Sequence, residues 1–154
     1  MFTRANDVFT DPPSRWGGVA WADYDNDGFM DVLLLRVVGC NRLYHNLGNA
    51  NHWLKFKLTG TVSNRDALGA KVRVLATIRG QAVWQMREVS SNSHSQDDSR
   101  PSFGLGDATK ADRVIIEWPS GNKQEYVDLT ADRIFAITEL ARRSAPSADP
   151  TILR

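Results

Sequence analysis

Hydrophobic positions along this chain alternate. In "WLKFKL", Leu54, Phe56 and Leu58 are separated by Lys55 and Lys57, and in "KVRVLATI" Val72, Val74, Ala76 and Ile78 take every second place. A period of two is that of a strand with one face buried, which puts both lysines on the solvent side. "RVIIEW" and "KQEYV" flank "PSGN", where Pro119, Gly121 and Asn122 supply turn chemistry, so the two predict a hairpin. "AVWQMREV" and "RIFAIT" are apolar on both faces and are expected to be central or interfacial strands. No stretch carries a 3.6-residue stripe, and the strands recur at roughly 10 to 15 residues with turns between them. The expectation is an all-β fold, a β-sandwich or small barrel.

Turn formers crowd into "NLGNANH", residues 46–52, which divides an Asp-rich segment from a basic, strand-rich one. The predicted organisation is a β segment over residues 1–50, a β domain over 51–142 and a flexible tail over 143–154, where "ARRSAPSADPTILR" is rich in Ser, Ala and Pro.

Composition narrows the function classes. The chain has 154 residues, 42% hydrophobic and 24% charged, as expected of a globular protein that buries a core. No apolar run approaches the roughly 18 residues of a spanning helix, so no membrane insertion is expected. The opening "MFTRANDVFT" holds no apolar core of a secretory signal, so no signal peptide is read in this chain. Net charge is +1, and the basic residues after position 51 are scattered, which predicts no nucleic-acid partner. The single cysteine, Cys40, excludes an internal disulfide and a cysteine-based zinc cluster, and a buried spectator thiol is the expected role.

One turn breaks the even spread of charge. "DYDNDGFMD", residues 23–31, sets Asp23, Asp25, Asp27 and Asp31 between two apolar runs. Hard cations such as calcium take six to eight oxygens, and the i, i+2, i+4 spacing lets a tight loop turn three carboxylates inward. Gly28 permits the sharp return, Phe29 offers a backbone carbonyl, and Asp31 closes the site from the next strand. A helix-loop-helix calcium loop needs Glu at its twelfth position, which here is Leu34. The prediction is a strand-loop-strand site for structural Ca2+. An Asp-rich hairpin turn without an ion is the plainer reading. Against it stands repulsion of about 4 kcal/mol for each carboxylate pair held near 4 Å at an effective dielectric of ~20.

"GVAWADYDNDGFMDVLLL" with "NRLYHNLGN" resembles an FG-GAP/VCBS repeat, the calcium-loop blade unit of integrin-type β-propellers. "NHWLKFKLTGTVSNRDALGAKVRV", "QMREV", "SQDDSRPSFGLG" and "VIIEWPSGNKQ" resemble an ASPIC/UnbV domain, as in the C-terminal region of cartilage acidic protein-like chains. The resemblance spans roughly residues 15–140. It implies that Asp23, Asp25, Asp27, Phe29 through its carbonyl, and Asp31 are metal ligands. It also implies an all-β module without established catalysis, set outside the cell or in the periplasm. A propeller needs about four to eight blades, since one cannot bury its faces alone, and a single DxDxDG occurs here. The expected fold is therefore a single propeller-blade-like β segment followed by the sandwich or barrel. Such a segment belongs to a longer protein, packs on the domain after it, or pairs with another copy.

Other constellations carry less. Gly104 and Gly106 in "FGLGDAT" have dinucleotide-like spacing, but Thr109 replaces the third glycine, and a β-turn is the expected role. Ser93, His94, Ser95, Asp97 and Asp98 are adjacent in "SNSHSQDD", and adjacency in a polar loop is no evidence of a triad. His45, His52 and His94 are too far apart for a ligand motif. Most of Trp16, Trp21, Trp53, Trp84 and Trp118 are expected in the core, with one or two free to form a sugar- or protein-binding face. Around Arg65 and Asp66 the expected structure is a turn with an internal Arg–Asp contact.

The function expected from all this is a non-enzymatic calcium-binding β module for protein recognition or adhesion. Its partner would be a protein or a glycan, and copies would associate through unpaired blade strands. The competing expectation is a hydrolase acting on extracellular polymers or a carbohydrate-binding accessory domain.

Overall fold

Alternation on this scale leaves little choice but sheets, and a computed structural model of the chain, which describes residues 16–90 and 99–141, contains strands and no helix among them. The described residues fall into two compact units, one of residues 16–50 and one of 51–90 with 100–141.

The first unit is a three-stranded antiparallel meander, β1 (Trp16–Ala22), β2 (Asp31–Arg36) and β3 (Arg42–Tyr44). Its register sets Ala22 opposite Asp31, Ala20 opposite Leu33, and Leu33 opposite Leu43. Asp31 therefore stands at the mouth of the acidic loop, where β2 begins. Cys40, expected to be buried, is exposed in the β2–β3 connection.

The second unit contains β4 (His52–Thr59), β5 (Lys71–Ile78), β6 (Gln81–Glu88), β7 (Ser102–Gly106), β8 (Lys110–Glu117), β9 (Lys123–Thr130) and β10 (Arg133–Thr138). They form two sheets, β10-β4-β7 and β6-β5-β8-β9. One core lies between them: Leu54, Phe56 and Phe103 from the first sheet meet Val72, Val74, Val114 and Ile116 from the second. Phe56 packs edge-on to Phe103 with ring centres 5.8 Å apart and stacks with Phe135 at 6.0 Å. This is a sandwich, and the described strands close no barrel.

Three expectations from the pattern need correction. β6 is an edge strand: the two-residue turn Arg79–Gly80, both at positive φ, fixes it beside β5, whose other side is occupied by β8. Its Trp84 and Met86 are consequently exposed. β10 is also an edge strand, paired parallel to β4, whose other side belongs to β7. Lys55 is fully buried where alternation predicted a solvent face, while Lys57 is exposed as expected. β4 is the middle strand, so Lys55 is flanked by Ile134 and Ser102, and its ammonium lies 5.9 Å from the centre of the Trp53 ring.

One end of the sandwich is closed by a buried acid. Glu139, directly after β10, is 2% exposed. Its Oε2 accepts the backbone N–H groups of Thr61, Val62 and Ser63 at 3.0, 3.0 and 2.7 Å. Its Oε1 accepts from the Ser63 hydroxyl at 3.1 Å, the Asn122 amide at 3.1 Å, and the Ser120 hydroxyl. The β4–β5 loop, the β8–β9 turn and the end of β10 thus meet on one carboxylate. Burial pushes its pKa up, but the Ser120 hydroxyl and the Ser63, Thr61 and Val62 N–H groups outweigh that and hold it at about 2, from an ordinary 4.5.

A carboxyl depressed on folding contributes its stability above its unfolded pKa and loses it as pH falls through the folded one. The Glu139 contribution is accordingly complete above about pH 5 and drains away between about pH 4.5 and 2. Glu139→Gln is expected to cost about 3 kcal/mol at pH 7. Urea unfolding of both forms at pH 7 and pH 3 checks this: the gap between them should shrink at the lower pH.

Candidate metal centre

Residues 23–30 connect two antiparallel strands, and carboxylates that recur every second residue hold the connection in shape. Asp23 follows the last residue of β1 and is 2% exposed, and its Oδ2 accepts the Gly28 N–H at 3.0 Å. Asp25 Oδ1 accepts the Asp27 N–H at 3.3 Å, and Asp27 Oδ1 accepts the Phe29 N–H at 2.8 Å. Such i to i+2 bonds are the Asx turns these residues favour. Gly28, at φ 97°, makes the sharp return that lets the Asp23 carboxylate reach across it.

The result is convergence. Asp23, Asp25 and Asp27 each offer an oxygen within 4.8 Å of the others. Three charges at that separation or closer repel by about 3.5 kcal/mol or more per pair at an effective dielectric of ~20, less where water reaches them. The donors are all carboxylate oxygens with no sulfur among them, which fits a hard divalent cation.

Asp31 belongs to a second grouping. It is 1% exposed; Oδ1 accepts the Asn46 N–H at 2.7 Å and faces His45 Nδ1 at 3.1 Å, while Oδ2 accepts the Tyr24 N–H at 3.2 Å. His45 Nδ1 also lies 3.7 Å from Asp25 Oδ2, and Asp25, Asp31 and His45 bring one donor atom each within 4.8 Å. Asp25 is thus common to both groupings. Of the residues expected to bind metal, three converge, Asp31 adjoins them through Asp25, and the Phe29 N–H is committed to Asp27. The Phe29 ring lies against Gly48, where a Cβ would sit 2.6 Å from it.

His45 was not legible as a ligand, because it is 14 residues from Asp31. The β2–β3 register pairs Val32 with Tyr44, so one step outward sets His45 opposite Asp31. Only the position of β3 reveals that. Beside Asp31 an open cleft of about 640 Å³ runs along one face of the meander, lined by Gly18, Ala20, Leu33, Leu35 and Leu43, with Tyr24 at the acidic end.

Other sequence candidates settle elsewhere. Ser93, His94, Ser95, Asp97 and Asp98 lie outside the described residues, as do residues 142–154. Gly104 lies within β7, and Gly106, at φ 59°, ends the strand against Ile78. His52 Nδ1 meets Asp132 Oδ2 at 2.6 Å, and Asp132 also accepts the Trp53 N–H, tying β4 to the β9–β10 turn. The turn around Arg65 and Asp66 is fixed by the Asn64 side chain, which donates to Leu68 O at 2.9 Å and accepts from Leu68 N at 2.8 Å. Among the tryptophans, Trp118 is core, whereas Trp21 and Trp84 are exposed.

Fold and site define an all-β chain in which a meander with an Asp-rich loop precedes a two-sheet sandwich. The chain belongs to the ASPIC and UnbV family, which matches residues 60–144, over half its length. The match takes in β5 to β10 and the whole Glu139 network and begins after the acidic loop. No curated protein matches the chain.

Gly48→Ala is expected to cost about 1 to 3 kcal/mol, since it combines a left-handed backbone with the Phe29 contact. Gly80→Ala, also left-handed at φ 73° but with nothing within 4 Å, should cost only about 1 kcal/mol. Chemical denaturation of the two variants separates ring contact from backbone strain.

Proposed function

We propose that the chain is a non-enzymatic calcium-binding β module for protein recognition or adhesion, whose first unit is an FG-GAP/VCBS-type repeat. The observation that carries this reading is the convergence of Asp23, Asp25 and Asp27 within 4.8 Å on a loop held by its own carboxylates. Calcium is favoured over magnesium because a cage of several protein carboxylates suits the larger ion, whereas magnesium keeps most of its water. The ion's role is structural: it neutralises the loop and fixes the β1–β2 hairpin. Asp23, Asp25 and Asp27 would hold it, with Asp31 and the Phe29 carbonyl completing the set.

Recognition is supported by the surface of the meander. Val19 and Trp21 are exposed on one strand, Leu35 and Leu43 on the others, and the cleft beside Asp31 is apolar. Apolar residues on both faces of so small a sheet suit a protein partner or a second copy of this chain, with the strand edges left unpaired among the described residues as the template for association. An extracellular or periplasmic setting, where calcium is plentiful, fits a site of modest affinity.

Thermal unfolding of the purified chain in excess calcium and in excess chelator tests the reading. A site filled to 100 times its dissociation constant adds about 2.7 kcal/mol, which raises the midpoint of a small domain by several degrees. Asp25→Asn should abolish the rise. An unchanged midpoint in the unaltered chain sinks the proposal.

A further inference from the structure

The two groupings that share Asp25 differ in chemistry. Asp23, Asp25 and Asp27 offer oxygen alone, whereas Asp25, Asp31 and His45 offer two carboxylates and an imidazole nitrogen. Nitrogen is a poor donor to calcium and a good one to borderline transition ions.

The two distances from His45 fit the second class, and Asp25 and Asp31 bring their own donor atoms within 4.8 Å of each other. Around an ion about 2.1 Å from each donor, neighbouring donors are separated by about 3.0 Å in an octahedron and 3.4 Å in a tetrahedron. His45 Nδ1 stands 3.1 Å from Asp31 Oδ1 and 3.7 Å from Asp25 Oδ2, within a few tenths of an ångström of those edges. The imidazole does not swing freely: the Tyr24 ring meets it edge-on at 5.6 Å, and the backbone of the next residue, Asn46, is bound to Asp31. Asp31, for its part, is held in place by the Tyr24 and Asn46 N–H groups, which orient its carboxylate as hydrogen bonds orient a metal-ligating one.

We infer that Asp25, Asp31 and His45 form a mixed nitrogen–oxygen site for a divalent transition ion such as Zn2+, overlapping the proposed calcium set through Asp25 and Asp31. The inference rests on the reading of residues 23–31 as a cation loop and adds to it a second class of ion. Binding at Nδ1 requires the ring proton on Nε2, so the tautomer that donates to Asp31 gives way to the other when the metal enters. Because both ions draw on Asp25 and Asp31, each weakens the other's hold.

Zn2+ and Ca2+ are titrated separately into the metal-free full chain by calorimetry, with Co2+ absorption reporting coordination by nitrogen. His45→Ala is expected to weaken Zn2+ at least tenfold and leave the calcium response within threefold. Asp27→Asn should do the reverse, His52→Ala should change neither, and calcium should raise the apparent Zn2+ dissociation constant. The ring nitrogen resonances of His45 in the unaltered chain should shift on adding Zn2+, a readout independent of how any variant folds. Zn2+ binding that is unchanged in His45→Ala, or His45 resonances that do not move, overturns the inference. Calcium inert beside Zn2+ bound through His45 would remove the calcium reading and leave this one standing.

Discussion

A carboxylate withdrawn from water must be met by donors, and both units are arranged around that demand. Asp31 in the meander and Glu139 in the sandwich are buried almost completely; Asp31 collects N–H groups from the loop before it and the strand end after it, and Glu139 from a loop some 77 residues away. An unmet buried charge costs several kcal/mol. Segments that arrive in the wrong register leave that cost unrelieved, so the acid selects the arrangement that feeds it. In the meander this selection brings Asn46 and His45 to the acidic loop. In the sandwich it ties the β8–β9 turn of one sheet to the end of β10 in the other and to the β4–β5 loop.

The same logic divides the molecule by chemistry. The sandwich meets its buried Glu139 from within, and beside it the Gln124 amide donates to Thr138 O while its oxygen accepts the Leu140 N–H, which joins β9 to the end of β10. The acidic loop holds its carboxylates with Asx turns yet still leaves three of them converging. Charge answered internally marks a structural knot. Charge gathered on one loop is the observation on which the proposed cation site rests.

Much of the strand set could be read from alternation, because a period of two follows from burying one face and needs no knowledge of neighbours. Leu54, Phe56, Val72 and Val74 point into the core as their spacing required. What spacing could not convey was which strand stands beside which. β6 and β10 have apolar residues on both faces yet sit at sheet edges, and Lys55 is buried because β4 is flanked on both sides. The acidic residues were legible from their spacing, since their contacts are local. His45 and Glu139 were not: one is delivered by a hairpin register, the other by strands that meet across the whole sandwich.

The parallel pairing of β10 with β4 bears on how the molecule is made. Strands pairing side by side in the same direction must be joined by a long excursion, and here everything from β5 to β9 lies between them. The meander, built from neighbouring hairpins, has all its strand pairings and the Asp31 and Phe29 contacts once residue 48 has emerged from a ribosome. The sandwich sheet of β4 lacks one neighbour, and the loop after β4 lacks its acid, until residue 139 follows. Synthesis therefore presents the cell with a finished meander tethered to an open sheet, and this interval, governed by chain length and translation speed, is when the exposed flank of β4 is most open to improper pairing.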